Sequence, residues 1–259
     1  MDTQALLATL RYWRECGIDR LSGEGFGFSR LDTPSQPVPI QRVASKTALP
    51  PPLPSLDRLL STPVDPVART PLLETLASEV ASCERCRLAL TRNRTVVGSG
   101  SFDPPVVFVG DTPKEEEEKA QEPFVGEARE LLNGMLRAAR LQRQGVFITN
   151  IIKCRPPGDR QPHSDELSQC QGYLFRQLEI LRPRVIFAMG KVAIDCLLGQ
   201  NSPVGTARGK VHSWRGVPVI ASYHPAFCLR TPTSKRAVWE DLILMMKTLE
   251  HASQPPQAD

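Results

Sequence analysis

No run of apolar residues in this 259-residue chain approaches the roughly 20 that a membrane-spanning helix needs. The start, Met1-Asp2-Thr3-Gln4, lacks the basic residues and apolar stretch of a secretory leader. The expectation is a cytoplasmic protein with no membrane contact. An excess of one charge is also missing: 32 Lys and Arg against 28 Asp and Glu leave only +4. Aromatic residues are few, at 6%. The cysteines lack an even count: seven of them, at 16, 83, 86, 154, 170, 196 and 228, argue against a disulfide framework in a cytosolic chain. Metal ligation or plain burial remain. With 41% hydrophobic and 23% charged residues, the chain suits one full-sized globular domain with something appended.

Charge is unevenly placed. Residues 111–130 carry eight acids and three bases, whereas residues 131–259 carry seventeen bases and nine acids. A basic C-terminal half is what a polyanion-binding face needs.

Composition divides the chain into segments. Residues 1–33 include a short amphipathic helix, with Leu6, Leu10 and Trp13 on one face. Residues 34–71 hold ten of the 24 prolines and show no period, as an extended linker would. Residues 72–251 are regular, and 252–259 form a tail. In the regular part, Val106–Val109, Val146–Ile151, Val185–Met189 and Val217–Ala221 read as buried strands. Helical patterns cover 127–140, 165–181, 191–198 and 234–249. Alternating strand and helix predicts an α/β fold whose mostly parallel sheet is covered on both faces. Ligands then gather at the carboxyl ends of the strands, where Asp111, Asn150 and Ser222-Tyr223-His224 stand.

Four groups of residues carry chemistry. Cys83 and Cys86 form a C-x2-C pair, and Cys154 and Cys170 form a second pair. Four thiolates suit a structural zinc or a [4Fe–4S] cluster. Cys196 and Cys228 read as buried apolar residues, and Cys16 as a helix-end residue. Phe124, in Pro123-Phe124-Val125-Gly126, places a ring near a helix start, beside an acidic run Glu115–Glu118 that reads as solvated. Asn150 ends a strand; its amide both donates and accepts, as reading a base edge requires, or it forms or caps the turn, as most asparagines at such positions do. His224-Pro225 follows the last strand, where a lone histidine is more often a structural hydrogen bonder than a catalyst, and the basic cluster Arg230, Lys235 and Arg236 beyond it is compatible with phosphate contacts. Gly190-Lys191 is no P-loop, because Val185 stands where that pattern needs glycine. Gly98-Ser99-Gly100 precedes its strand and is no dinucleotide fingerprint.

Taken in order, C-x2-C, VVFVGDTP, EPFVGEARELL, TNIIKCRPPGDRQP with Cys170, and HPAFCLR with KRAVWEDL, residues 73–250 resemble the family 4, iron–sulfur-containing uracil-DNA glycosylases. The resemblance implies a three-layer α/β/α sandwich around a four-stranded sheet, in a monomer. It implies a [4Fe–4S] cluster, structural and not redox-active in the hydrolysis, on Cys83, Cys86, Cys154 and Cys170. The implied partner is DNA containing uracil, and the implied reaction removes uracil to leave an abasic site. Phe124 would stack on the flipped base, with Gly110 allowing close backbone approach. Asn150 would pair with the base edge, His224 would stabilise the uracil anion, and Asp111 would act near the sugar. Arg155 and Arg160, on the loop between the third and fourth cysteines, would join Arg230, Lys235 and Arg236 on the DNA.

The chain departs from the family's G-E-x-P-G, having Gly110-Asp111-Thr112-Pro113-Lys114, and carries Arg129 where the family has glycine. Lys114 and Arg129 are expected beside the pocket. Two further readings stand beside an active glycosylase. One is a DNA-binding module that keeps fold and cluster without turnover; the other is a zinc-stabilised hydrolase acting on a nucleotide. The N-terminal helix would dock in a groove of another protein or on its own domain.

Overall fold

A computed structural model describes residues 66–199 and 201–252. The N-terminal helix, most of the Pro-rich segment, Cys16 and the tail from 253 lie outside the described residues. The first described helix, α1 (Pro66–Ala81), starts within the segment expected to be linker. It is anchored: Leu73, Leu76 and Val80 are buried, and the Arg69 guanidinium pairs with Asp103. Apolar residues at i, i+3 and i+7 make a helical face; the prolines around them obscured it.

The sheet has six strands, in the order β1-β3-β2-β4-β6-β5. The four inner ones are β2 (Val106–Gly110), β3 (Phe147–Asn150), β4 (Val185–Met189) and β6 (Val217–Ser222). They are parallel and match the four apolar runs. Two antiparallel edge strands, β1 (Ser99–Gly100) and β5 (Val211–Trp214), correct the expected count of four. Both are too short or too exposed to show a buried run.

Successive side chains on a strand point to opposite faces, and both faces are dry. Val107 and Val109 pack with Leu174 and Leu178 of α4 (Ser164–Leu181) and with Ile194 of α5 (Lys191–Leu198). Val106 and Phe108 pack with Leu132 and Leu136 of α3 (Gly126–Ala138) and with Leu242 of α8 (Lys235–His251). The result is the three-layer α/β/α arrangement. Three short helices complete it: α2 (Glu115–Ala120), α6 (Val204–Ala207) and α7 (Pro225–Arg230). Among the described residues no helix is long and apolar enough to cross a membrane.

From β2 the chain goes to β3 on one side, then crosses to β4 on the other. Such a reversal opens a crevice at the carboxyl ends of the strands. Gly110, Asp111, Asn150 and His224 all arrive at this edge.

Candidate active site

Gly110 and Asn150 are paired neighbours at the ends of β2 and β3. A Cβ on Gly110 would lie 2.4 Å from Asn150 Oδ1 and 2.7 Å from Phe124 Cζ. Only a residue without a side chain lets the three meet. The Asn150 side chain is fully buried, and neither its oxygen nor its nitrogen has a hydrogen-bond partner among the described residues. Burying an unpaired amide costs about 1–3 kcal/mol, which a ligand offering both a donor and an acceptor would relieve. Behind it, the Lys153 ammonium donates to the Asn150 carbonyl at 2.7 Å, to Thr149 Oγ1 at 2.6 Å and to Gln177 Oε1 at 2.5 Å. That buried lysine holds the strand end from within.

Phe124 sits at φ +55°, a left-handed conformation that a residue with a side chain adopts at a cost. Its backbone is held at both ends. The Glu117 carboxylate accepts its N–H, and Arg143 donates to the carbonyls of Pro123, at 2.7 Å, and Phe124. Glu117 also accepts the Lys114 N–H at 2.6 Å. Burial raises the Glu117 pKa, opposed by these two amides. The acidic run is therefore not all solvated. Glu117 and Glu118 are buried, and Glu118 accepts from the Asn93 amide at 2.8 Å.

The Phe124 ring stacks on His224, with centroids 5.2 Å apart and planes 29° apart. His224 caps α7: its Nδ1 accepts the Ala226 N–H at 3.2 Å, so in the neutral ring the proton is on Nε2. Burial pushes its pKa down to about 4, helped by the charges of Lys114 and Arg230. At neutral pH it is an uncharged hydrogen-bond donor.

Asp111 follows β2 and reaches the amino end of α5, where Oδ1 accepts the Ala193 N–H at 2.8 Å. Gly190 makes room for it, since a Cβ there would lie 2.4 Å from Oδ2. Burial raises the Asp111 pKa to about 6, and Asp195 adds to the rise. The Ala193 and Val192 amides and Lys114 oppose it. Two cavities flank His224. The larger, of about 720 Å³, has Phe124, Val125 and Lys114 in its wall. The smaller, of about 260 Å³, has Asp111, Lys191, Tyr223 and Arg230.

The four cysteines all lie against the core face covered by α1 and α4. Cys154 and Cys170 are buried, and Cys83 and Cys86 pack against the same core. Burial raises the pKa of Cys86, Cys154 and Cys170, and each is raised further by its neighbours in the set. Donors are aimed at the sulfurs: Arg92 reaches Cys154 Sγ at 3.3 Å, and the Lys153 N–H reaches Cys170 Sγ at 3.4 Å. A sulfur that accepts such bonds suits a thiolate ligand. Among the described residues, no three His, Cys, Asp or Glu side chains are gathered tightly enough to hold a single ion.

The basic residues divide. Arg155 pairs with Asp159 and Glu115, Arg160 binds Glu166 through two bonds, and Arg236 meets Glu240. Arg230 and Lys235 make no ion pair among the described residues. Arg129, expected beside the pocket, instead pairs with Glu122 at 2.8 Å and lines neither cavity. Lys114 lines both.

Sequence reasoning missed Glu117, Lys153 and Arg143. The one signal for Lys153 was a cation set directly between the apolar pair Ile151-Ile152 and Cys154.

Residues 97–243 match the sequence model of the Uracil DNA glycosylase superfamily. The chain is 39% identical over 178 residues to a type-4 uracil-DNA glycosylase of Thermotoga maritima, covering 67% of this chain and 93% of the relative. A type-4 uracil-DNA glycosylase of Archaeoglobus fulgidus is 40% identical over 168 residues, covering 62% and 84%. One of Saccharolobus solfataricus is 35% identical over 196 residues, covering 72% and 90%.

Proposed function

The chain belongs to the uracil DNA glycosylase superfamily, and from that premise we propose that it hydrolyses the bond between uracil and deoxyribose in DNA. The carrying observation is the buried, unpartnered amide of Asn150 beside Phe124 and Gly110. Its two groups match the adjacent acceptor and donor on uracil's edge. Cytosine offers a donor where uracil offers an acceptor, so it leaves a buried group unpaired. A mismatch of that kind can cost several orders of magnitude in rate.

The target nucleotide leaves the duplex first. On entry, uracil stacks on the Phe124 ring, which His224 also contacts. Cleavage of the C1′–N1 bond leaves its electron pair on the base and positive charge on the sugar. The Nε2–H of neutral His224 donates to the base oxygen where negative charge grows, an electrostatic role of the oxyanion type. Asp111, ionised above about pH 6, offsets the sugar's charge. It also takes the proton of the water whose oxygen bonds to C1′. Arg230, on the wall of the smaller cavity, and Lys235 contact the phosphates. Arg155 and Arg160 shape the loop next to them.

Cys83, Cys86, Cys154 and Cys170 would hold a [4Fe–4S] cluster in this reading, and its contribution would be structural, tying the loop between residues 154 and 170 to the Cys83–Cys86 turn. The protein acts as a cytoplasmic monomer. The test is a gel assay of strand scission at abasic sites on single- and double-stranded DNA containing uracil, together with iron and sulfide analysis. Uracil release with about four irons and four sulfides per chain supports the reading. Tight binding without release would instead make the protein a binding module, and one zinc in anaerobically prepared protein would remove the cluster.

A further inference from the structure

Resting on that glycosylase reading, we propose that Lys114 is a further catalytic residue of this chain, its ammonium stabilising the negative charge that develops on the departing base. The residue stands where the two cavities meet: they share only Lys114, His224 and Ala226. Its main chain is fixed by the bond from its N–H to Glu117, the same carboxylate that holds Phe124. Its Nζ donates to the Asp159 carbonyl at 3.0 Å. An ammonium has three donors, so two remain for a ligand.

The other cations nearby are committed or elsewhere. Lys119 pairs with Glu115, and Lys191 is bonded to Asp195 and Asn201. Arg230 lines the smaller cavity alone. Lys114 makes no ion pair among the described residues. His224 is a neutral donor, so it supplies a hydrogen bond to the leaving base but no full charge. Lys114 is near enough for its charge to act on His224, Asp111 and Glu117.

A phosphate is the competing ligand for this ammonium, and the rim of the larger cavity disfavours it. Glu116 and Glu127 share that wall with Lys114, as do Glu115 and Asp159, which pair with Lys119 and Arg155. A phosphate would bring its full charge to that rim in the bound state. Uracil is neutral when bound and becomes anionic only as the C1′–N1 bond breaks, which is where stabilisation accelerates the reaction. Lys114 keeps its proton throughout; the base anion is protonated afterwards by solvent.

The experiment measures single-turnover base release from DNA carrying uracil or 5-fluorouracil, whose ring departs as the more stable anion. Lys114→Met keeps the aliphatic stem and removes the charge. It should slow uracil release by about 10²-fold, the lower range for losing one such group. Release of 5-fluorouracil should fall much less, DNA affinity should hold, and Lys114→Arg should recover most of the rate. Iron content and circular dichroism matching the wild type establish that the variants fold. If Lys114→Met does not fold, Lys114→Gln is measured in its place with the same criteria. Equal slowing of both bases, with weaker DNA binding and a salt slope reduced by about one, would assign Lys114 to a phosphate and overturn the proposal. Unchanged or faster uracil release would overturn it as well. A wild type that releases neither base fails the glycosylase reading itself, and the proposal falls with it.

Discussion

The space over Gly110 is occupied by Asn150: a methyl group on that glycine would sit 2.4 Å from the amide oxygen. Real Cβ atoms do not come so close, so Gly110→Ala must push Asn150 or Phe124 aside. A displacement of about 1 Å at such a group can cost 10²-fold in rate. Uracil release should fall by about that factor while iron content is unchanged, measured by single-turnover kinetics and iron analysis.

Glu117 joins two parts of the site, accepting the N–H groups of Phe124 and Lys114 through one buried carboxylate. Glu117→Ala leaves both amides without that acceptor and frees Phe124 from its left-handed conformation. Base release should drop by about one to two orders of magnitude, by the same displacement argument. Glu117→Gln, which retains one acceptor oxygen, should keep more of the rate. A positioning role predicts that both variants bind DNA as the wild type does, which a fluorescence anisotropy titration checks.

Arg160 does not face outward as a free phosphate contact. It makes two bonds, of 2.8 and 2.6 Å, to Glu166, whose side chain is wholly buried at the start of α4. Glu166 also accepts the His163 N–H at 2.8 Å. Arg160→Ala leaves that buried carboxylate with only the His163 N–H and the Arg87 guanidinium at 3.8 Å, so Tm should drop by several degrees, at roughly 2–4 °C per kcal/mol for a domain of this size. Because α4 carries Cys170, iron loading should fall too. If instead Tm and iron hold while DNA binding weakens, Arg160 belongs to the DNA face after all.

The four inner strands were legible in the sequence because strands buried on both faces are continuous apolar runs, and their parallel arrangement delivers Asp111, Asn150 and His224 to one edge. Strand β5 was not, since Val211 and Ser213 are exposed and only Trp214 is buried. Its turn was nonetheless written there. Arg215 and Gly216 both have positive φ and join paired Trp214 and Val217, as in a two-residue hairpin. Glu117 was invisible for a different reason. Four consecutive glutamates have no periodicity, and only the left-handed backbone of Phe124, with an amide in need of an acceptor, sets the third apart. Arg129 was misplaced because a charge near a pocket in sequence says nothing of its partner, which is Glu122.

Asp111 ties activity and stability to pH in opposite directions. Burial raises its folded-state pKa to about 6, above the ordinary 3.8, with Lys114 and the Ala193 and Val192 amides holding it from rising further. The working form has Asp111 ionised and His224 neutral. Release should therefore climb as pH rises through about 6 and then level off, with a second, steeper loss near the His224 value of about 4. Asp111→Asn should remove the limb near 6 and slow release by about 10²–10⁴-fold. For stability the sign reverses. A carboxyl whose folded pKa is raised favours the folded state when protonated, and that contribution is lost as pH rises through about 6. Asp111→Asn, which keeps an acceptor for the Ala193 N–H, should then melt above the wild type at pH 7. The advantage should shrink as pH falls from 6 towards the ordinary 3.8 and vanish below about 3, where both states of the wild type are protonated. Calorimetry at pH 7 and pH 4.5 reads this directly, and an equal Tm difference at both would show that Asp111 is not a buried, strained charge in the folded protein.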